Sequence, residues 1–365
     1  MSGADPAATT PTGTPQAAAQ RGAYALGVDF PLIQAGMGGV AGPALAAAVS
    51  NSGALGTVAL YKSDAAQSAF LVADTAARTR RTFSVNVIPE VAGRLLTEQV
   101  RALLDAAEQP LVVNSYGLPP AEAAARVLAA GHRLLIQVGT PQDAAAAADL
   151  GAHALALQGT EAGGHHLGTL GLRDLLAGYD LAPPVFVAGA VATGDDLLEL
   201  LLAGASGALC GTAFVATTES AAHPHYKDAL LRATGTDTVV TDRYAIGWPG
   251  RPHRVLRGPV TDSAEPLPAT MIAWTTVTGL RRPVPRGSAA APTVEAEGLV
   301  EQLAQYAGLG CGSVRAVEPA AAVVARIRVQ FAAAAARGAG GASVHGHAED
   351  AALGTPADTA APAAR

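Results

Sequence analysis

The residues best suited to chemistry lie in one short segment, Gln158–His166, which reads QGTEAGGHH. It follows the apolar run Ala154–Leu157, which is too short for a helix and predicts a buried strand. Glycines at the end of such a strand let a flat ligand approach the backbone closely. His165 is a side chain that can move a proton near neutral pH. We therefore predict that His165 is a general base and His166 only its neighbour; a histidine bonded to a backbone carbonyl is the structural alternative for His165.

Two later strand ends carry the residues of an anion site. One reads Ala188-Gly189-Ala190-Val191 and the other Cys210-Gly211-Thr212. Backbone N–H groups and the Thr212 hydroxyl at such ends suit a phosphate. Each loop alone is equally compatible with a plain turn, but the two together, in this order, favour the phosphate site.

Short apolar segments that alternate with Ala/Leu-rich helical stretches must position these loops. Glycines 53, 131, 151 and 204 stand where helix ends are expected, just before a strand. Eight such units in this length predict a (β/α)8 TIM barrel of the α/β class, whose sites lie at the carboxyl ends of the strands. A doubly wound open sheet is the alternative. The predicted strands are Leu32–Gln34, Leu55–Leu60, Phe83–Ile88, Leu111–Asn114, Leu134–Val138, Ala154–Gln158, Val185–Ala188 and Ala208–Cys210.

The chain divides into five predicted parts. Residues 1–20 and 338–365 are rich in Ala, Gly, Pro and Thr, which predicts disordered tails. Residues 21–235 are the predicted barrel, including a helix at Glu219–Ala233. Residues 236–292, rich in Pro, Gly and Arg, are predicted to form a C-terminal cap that binds substrate. Residues 293–337 are predicted to hold helices, at Glu295–Tyr306 and Pro319–Ala336, that pack on the barrel.

Composition excludes several classes of protein. The 365 residues are 50% hydrophobic and 15% charged, with a net charge of −6, so nucleic acid is not an expected partner. No apolar run is long enough to span a bilayer. Two cysteines are too few for a disulfide scaffold, and His223 and His225 lack the carboxylates of a metal site, so no metal is expected. The N-terminal residues lack the pattern of a secretory signal, which favours a soluble cytoplasmic protein.

With these pieces in order, residues 24–337 resemble the nitronate monooxygenases, formerly 2-nitropropane dioxygenases, which are FMN-dependent (β/α)8 barrels. Several separated motifs carry the resemblance, and their shared order makes it specific. They are PLIQAGM at 31–37, AAAVSNSG at 46–53, Val85-Asn86, the 158–165 segment, GTAFVAT at 211–217, Gly247-Trp248-Pro249 and Tyr306-Ala307-Gly308.

The resemblance implies roles at individual positions. Gly36, Met37 and Gly38 would line the flavin ring, with Asn86 and Gln137 facing the cofactor. Gln158, Gly163 and Gly164 would pack near the ring. Gly189, Gly211 and Thr212 would hold the FMN phosphate, with Ala190 beside them, and His165 matches the family's active-site histidine. Similar proteins usually carry a second glycine where this chain has Ala190; if that position needs a positive φ, alanine costs roughly 1 kcal/mol there.

The implied activity is a flavin-dependent monooxygenase reaction, in which an alkyl nitronate is oxidised with O2 to a carbonyl compound and nitrite. A cationic or hydrogen-bonding His165 would hold the nitronate, and a neutral His165 would remove the α-proton of a nitroalkane. The alternative is an NAD(P)H-dependent flavin reductase on the same scaffold, acting on a quinone or an enoyl thioester. A flavin-binding protein without turnover is a third hypothesis. A homodimer is expected by analogy with barrel enzymes of this size.

Overall fold

A computed structural model of the chain describes residues 14–277 and 280–345, with side chains omitted at 277 and 338–345. The predicted segments at 1–13 and 346–365 lie outside the described residues. Eight parallel strands form the main sheet, in the order β1-β9-β8-β6-β5-β4-β3-β2. They are β1 (Leu32–Gln34), β2 (Thr57–Ala59), β3 (Ser84–Val87), β4 (Val112–Tyr116), β5 (Arg133–Val138), β6 (Ala154–Gln158), β8 (Val185–Ala188) and β9 (Gly207–Cys210), whereas β7 (Gly164–His165) lies outside this sheet.

The sheet closes on itself between its first and last strands. Ile33 of β1 forms a parallel bridge with Leu55, just before β2. The amide of Gln34 donates to the Leu55 carbonyl at 2.9 Å. A parallel eight-stranded sheet closed in this way is a (β/α)8 barrel, so the predicted fold is confirmed.

Alternate residues of the strands face two different cores. In β5, Leu135 packs inside the barrel, whereas Leu134 and Ile136 pack in the layer between strands and helices. All three are buried. A strand covered on both faces reads as a continuous apolar run, which is why the barrel strands stand out in the sequence.

Twelve helices flank the strands or follow the barrel among the described residues, and their starts and ends carry the expected signals. Thr140 caps a helix by accepting from the amide of Asp143, and Thr193 does so with Asp196 in a capping box. The glycines predicted at helix ends, 53, 131, 151 and 204, all have positive φ. The helices are α1 (Pro15–Leu26), α2 (Pro43–Asn51), α3 (Ala65–Arg78), α4 (Pro89–Ala92), α5 (Leu96–Ala106), α6 (Ala121–Ala129), α7 (Pro141–Asp149), α8 (Leu172–Ala177), α9 (Gly194–Leu202), α10 (Thr212–Val215), α11 (Pro224–Arg232) and α12 (Ala320–His345).

The region after the barrel forms two small antiparallel sheets. One has the order β10-β11-β7 and therefore includes the strand that carries His165; the other has the order β13-β12-β14. The cap predicted at 236–292 is thus joined by hydrogen bonds to the loop after β6. Its strands are β10 (Thr238–Thr241), β11 (His253–Leu256), β12 (Met271–Val277), β13 (Leu280–Pro285) and β14 (Glu297–Gly298).

Three sequence predictions about the C-terminal part need correction. The helix predicted at Glu295–Tyr306 is wrong: Gly298 has φ +114, and β14 pairs with β12, so this sheet crosses the predicted boundary at 292. The helix predicted at Glu219–Ala233 is shorter, because Pro224 begins α11 and His223 caps it. The helix predicted at Pro319–Ala336 is present, but α12 continues to His345, into the segment predicted to be disordered.

The predicted N-terminal tail is also partly wrong. Helix α1 begins at Pro15, capped by the Thr14 hydroxyl, and ends at Gly27 with φ 69. Gly22 lies so close to the barrel that a Cβ there would meet the Ser206 carbonyl oxygen at 2.0 Å. Alanine-rich composition suggested disorder, but one small-residue face packs closely enough to order this helix. No helix among the described residues has the length and apolar character needed to cross a membrane.

Candidate active site

A cavity opens at the carboxyl ends of the barrel strands. Every site residue predicted from the sequence lies on its wall, although what each would bind stays a prediction. None of the described residues on that wall is Lys, Arg, Asp or Glu. The predicted residues there are Gly36, Met37, Gly38, Asn86, Gln137, Gln158, Gly163, Gly164, His165, Gly189, Ala190, Gly211 and Thr212.

The loop after β6 is held in place by Gln158 and Tyr116. The Gln158 side-chain amide donates to the His165 carbonyl at 2.8 Å and accepts from the Leu167 amide at 2.8 Å. The buried Tyr116 hydroxyl donates to the same His165 carbonyl. The polar atoms of Gln158 are therefore engaged in bracing the loop, and the residue contributes to the cavity mainly through its stem.

His165 is buried, with 6% of its surface exposed, and is neutral at physiological pH. Its ring stacks on that of Trp248, with centroids 3.9 Å apart and planes 14° apart. Burial, followed by the nearby His253, His166 and Arg251, lowers the pKa of His165 from 6.5 to about 3. The cationic His165 that could hold an anion by charge is therefore not the form present at neutral pH.

The neighbouring histidines show what a structural role looks like. His166 has its Nε2 3.0 Å from the Ala162 carbonyl. His253 has its Nδ1 3.0 Å from the Arg251 carbonyl, and its Nε2 accepts from the Tyr244 amide at 3.2 Å. By contrast, the Nε2 atom of His165 has no hydrogen-bond partner among the described residues. This difference favours chemistry at His165 and structural roles for the other two.

Strand β11 fixes the His165 loop from the cap side. His253 pairs with His165 and Arg254 with Gly164 in an antiparallel register. The Arg254 guanidinium donates to the Thr160 carbonyl at 2.8 and 3.0 Å. This role of Arg254 was not predicted, because nothing in a single sequence marks which cap strand will pair with a two-residue strand.

Three glycines on the cavity wall are required by close packing. A Cβ on Gly36 would lie 2.5 Å from the side chain of Asn86, and one on Gly38 would lie 2.7 Å from the ring of Tyr61. A Cβ on Gly163 would lie 2.6 Å from the backbone of Ala307. These glycines therefore let side chains and the C-terminal segment close around the cavity.

The polar side chains at the ends of β3 and β5 form a chain of amides. Asn86 donates to the Asn114 carbonyl at 3.0 Å, and Gln137 donates to the Asn114 Oδ1 at 3.0 Å. Both residues line the cavity, and their side-chain oxygens accept no hydrogen bond among the described residues. Such fixed amides suit the polar edge of a flat heterocycle, which fits the predicted flavin.

The ends of β8 and β9 form a backbone cradle. Gly189 has φ +143 and Ala190 has φ +55, so the positive φ anticipated at position 190 is present. Among the described residues, the amides of Ala190 and Gly211 donate to no other protein group. The Thr212 hydroxyl accepts from the Gly308 amide at 3.1 Å, which leaves its hydrogen for another acceptor. Such unpaired donors fit a phosphate group.

Five aromatic residues of the wall were not predicted as site residues: Tyr61, Tyr116, Tyr226, Trp248 and Tyr306. The rings of Trp248 and Tyr306 lie 3.9 and 5.4 Å from the imidazole of His165. Signals for three of them exist in the sequence. Tyr61 follows the predicted second strand directly, and Trp248 and Tyr306 stand in motifs on which the family resemblance rests.

Comparison with known proteins agrees with this geometry. A family model described as "Nitronate monooxygenase" matches residues 23–91 and 60–329. A nitronate monooxygenase of Pseudomonas aeruginosa is 34% identical over 276 residues, which are 62% of this chain and 78% of the relative. One of Paraburkholderia phytofirmans is 32% identical over 353 residues, which are 83% of this chain and 92% of the relative.

A solved structure is similar over nearly the same range. The nitroalkane oxidase from Streptomyces ansochromogenes aligns with a TM-score of 0.68 and 28% identity, covering 85% of this chain and 98% of its own. The match therefore includes the cap as well as the barrel.

Proposed function

Because the chain belongs to the nitronate monooxygenase family of flavin-dependent oxidoreductases, we propose that it binds FMN and oxidises alkyl nitronates with O2 to carbonyl compounds and nitrite. The observation that carries the proposal is the desolvated, neutral His165 on an aromatic wall that holds no charged side chain among the described residues. Bound FMN would supply the electron and oxygen chemistry, which protein side chains do not provide.

The two ends of the cavity would hold different parts of the cofactor. Gly189, Ala190, Gly211 and Thr212 offer backbone and hydroxyl donors to its phosphate. The flexible thioether of Met37 and the flat glycine surfaces at Gly36, Gly38, Gly163 and Gly164 border the space for the ring. Asn86 and Gln137 present amide oxygens to its polar edge. This assignment follows the donors and acceptors that the protein itself leaves unused.

The protonation state of His165 favours a nitronate over a neutral nitroalkane. A general base works best when its pKa lies near the operating pH, and burial holds the pKa of His165 at about 3. A nitronate has already lost its α-proton and needs no base. His165 would then orient the substrate through a hydrogen bond, with the ring held flat against Trp248.

The test is turnover by the purified flavoprotein. We expect consumption of O2 and release of nitrite from propyl-2-nitronate, with much slower turnover of freshly diluted 2-nitropropane. Heating should release FMN, identified by chromatography against FMN and FAD standards. Rapid flavin reduction by NADH or NADPH without nitrite from the nitronate would overturn the proposal in favour of a reductase, and a protein that cannot be loaded with FMN would overturn both.

A further inference from the structure

We propose that the Tyr61 hydroxyl and the Trp248 indole N–H form a two-donor clamp that holds the two oxygens of a planar oxyanion in front of His165. The clamp rests on the proposed function for its natural occupant, the nitronate group, but its chemistry is defined by the protein alone. It makes Tyr61 and Trp248 specificity-determining residues.

Buried polar atoms without hydrogen-bond partners lie at the proposed clamp. The Tyr61 hydroxyl, the Trp248 Nε1 and the His165 Nε2 are buried atoms with no hydrogen-bond partner among the described residues. All three side chains line the cavity. Since an unpaired buried donor costs free energy comparable to a lost hydrogen bond, three such atoms at one cavity indicate a partner supplied by a ligand.

The three groups converge from separate parts of the fold. Tyr61 follows β2, His165 lies in β7, and Trp248 lies in the cap between β10 and β11. The Trp248 ring stacks on both other rings: its centroid lies 3.9 Å from that of His165, with planes 14° apart, and 6.2 Å from that of Tyr61, with planes 27° apart. Tyr116 meets Trp248 edge-on at 5.5 Å, so the indole is fixed from a third side.

The chemistry of these groups selects the ligand. An indole nitrogen can only donate. Burial raises the pKa of Tyr61 to about 12, so its hydroxyl keeps its hydrogen at physiological pH. The wall of the cavity therefore offers neutral donors; the Lys62 ammonium, 5.0 Å from the centre of the Tyr61 ring, does not line it. Such a site suits a delocalised anion with two acceptor oxygens, because charge-assisted hydrogen bonds are the strongest that neutral donors can make.

The close packing around Tyr61 supports a fixed donor. Gly38 has no room for a Cβ beside the Tyr61 ring, which would be 2.7 Å away. The Lys62 ammonium lies 5.0 Å from the centre of that ring, and the Lys62 backbone has a positive φ of 56. The phenol ring is thus held between the first barrel loop and its own neighbour, which defines the direction of its hydroxyl.

The experiment measures binding without turnover. Isobutyrate has the two-oxygen outline of propyl-2-nitronate and cannot be oxidised through a nitronate group, so it is titrated into the flavin-loaded protein by calorimetry, with neutral isobutyramide in parallel. Tyr61→Phe removes the hydroxyl and keeps the ring, and Trp248→Phe removes the indole N–H. Tyr24→Phe and Trp274→Phe, at exposed positions, are the matched controls.

We expect the wild type and both controls to prefer isobutyrate to isobutyramide, and each clamp variant to bind isobutyrate roughly 10-fold more weakly with an unchanged melting temperature. With propyl-2-nitronate, KM should rise more than kcat falls. Wild-type affinity in both clamp variants, or no preference of the wild type for the anion, would overturn the clamp.

The outcomes separate the clamp from the proposed function. If the wild type releases nitrite from nitronate while both variants bind isobutyrate normally, the function stands and the clamp fails. If the variants lose anion binding but the wild type does not oxidise nitronate, the clamp stands and the proposed reaction fails. A lowered melting temperature identifies a variant that is misfolded. If Trp248→Phe is misfolded, Tyr61→Phe tests the clamp alone, because its ring fills the same space as that of tyrosine.

Discussion

At one end of the cavity the wall is backbone, with Gly189, Ala190 and Gly211 presenting amides and almost no side chains. At the other end the wall is aromatic, with Tyr61, Trp248 and Tyr306 around His165. Backbone donors cannot be removed by mutation without altering the fold, whereas aromatic side chains can be exchanged one at a time. The contrast teaches that the proposed cofactor end is built from the barrel backbone, while single substitutions at the proposed substrate end would alter specificity without changing the barrel.

The largest expected effect is at the aromatic end. Replacing His165 with Asn should slow the residual turnover of neutral nitroalkane by about 10²-fold, the low end for a general base, because only that substrate needs a base and an imidazole with a pKa of about 3 is a weak one. Turnover of nitronate should fall much less. The ratio of the two kcat/KM values checks this, with FMN content as the control for folding. Equal losses on both substrates would contradict a base role.

At the junction of the two ends, Gly163→Ala should disrupt packing. The new Cβ would lie 2.6 Å from the backbone of Ala307, so a main-chain segment must move. We expect a loss of roughly 1–3 kcal/mol in the free energy of unfolding and a lower FMN content. Gly211→Ala is the matched control, because its Cβ would lie 3.5 Å from Ala35, an ordinary contact. Equal stability of the two variants would contradict this account.

Acidification should lower the stability of the protein through the buried histidines at the aromatic end of the cavity. The folded-state pKa of His165 is about 3, below its value of 6.5 when unfolded, and those of His166 and His253 are also lowered by burial. At a pH between the folded and unfolded pKa values, the unfolded chain binds protons that the native state does not. The free energy of unfolding is therefore unaffected by the titration of these histidines above pH 6.5 and decreases as the pH falls below 6.5. His165 alone should cost about 2 kcal/mol on going from pH 7 to pH 5.

Urea unfolding at the two pH values measures this loss. The His165→Gln variant provides the comparison, since it removes one of the three groups and should lose less stability on acidification than the wild type. An identical loss in both proteins would show that His165 does not titrate in this way.

The smallest expected effect is at the backbone end. Ala190 has φ +55, a region that costs an alanine roughly 1–2 kcal/mol. Ala190→Gly should relieve this strain, but a glycine also loses more conformational entropy on folding. The free energy of unfolding should therefore rise by up to about 1 kcal/mol. It should also tighten FMN binding, measured by quenching of flavin fluorescence. Ala192 does not have a positive φ, so Ala192→Gly should only lose stability. Similar changes in the free energy of unfolding for the two variants would show that Ala190 is not strained.

The barrel was predictable because its strands are buried on both faces and its helices end in glycines with positive φ. The loops that bear His165, Gly189, Gly211 and Thr212 followed from that topology, whereas Asn86, Gln137 and Gln158 came from the family resemblance; all of them line one cavity. The cap was not predictable in the same way. Its strands are short or mostly exposed, such as β13, so no continuous apolar run marks them. A helix was predicted at Glu295–Tyr306, but Gly298, with φ +114, turns the chain there instead.

The pairing between β11 and β7 ties the position of His165 to the cap. The His166 amide also donates to the Pro252 carbonyl at 2.8 Å, so the segment that bears His165 is bonded to the cap along its length. An outward swing of that strand would break these bonds and release the imidazole from its place. The position of His165 therefore depends on the cap: a substitution that loosened β11, even far from the cavity, would move the imidazole as well.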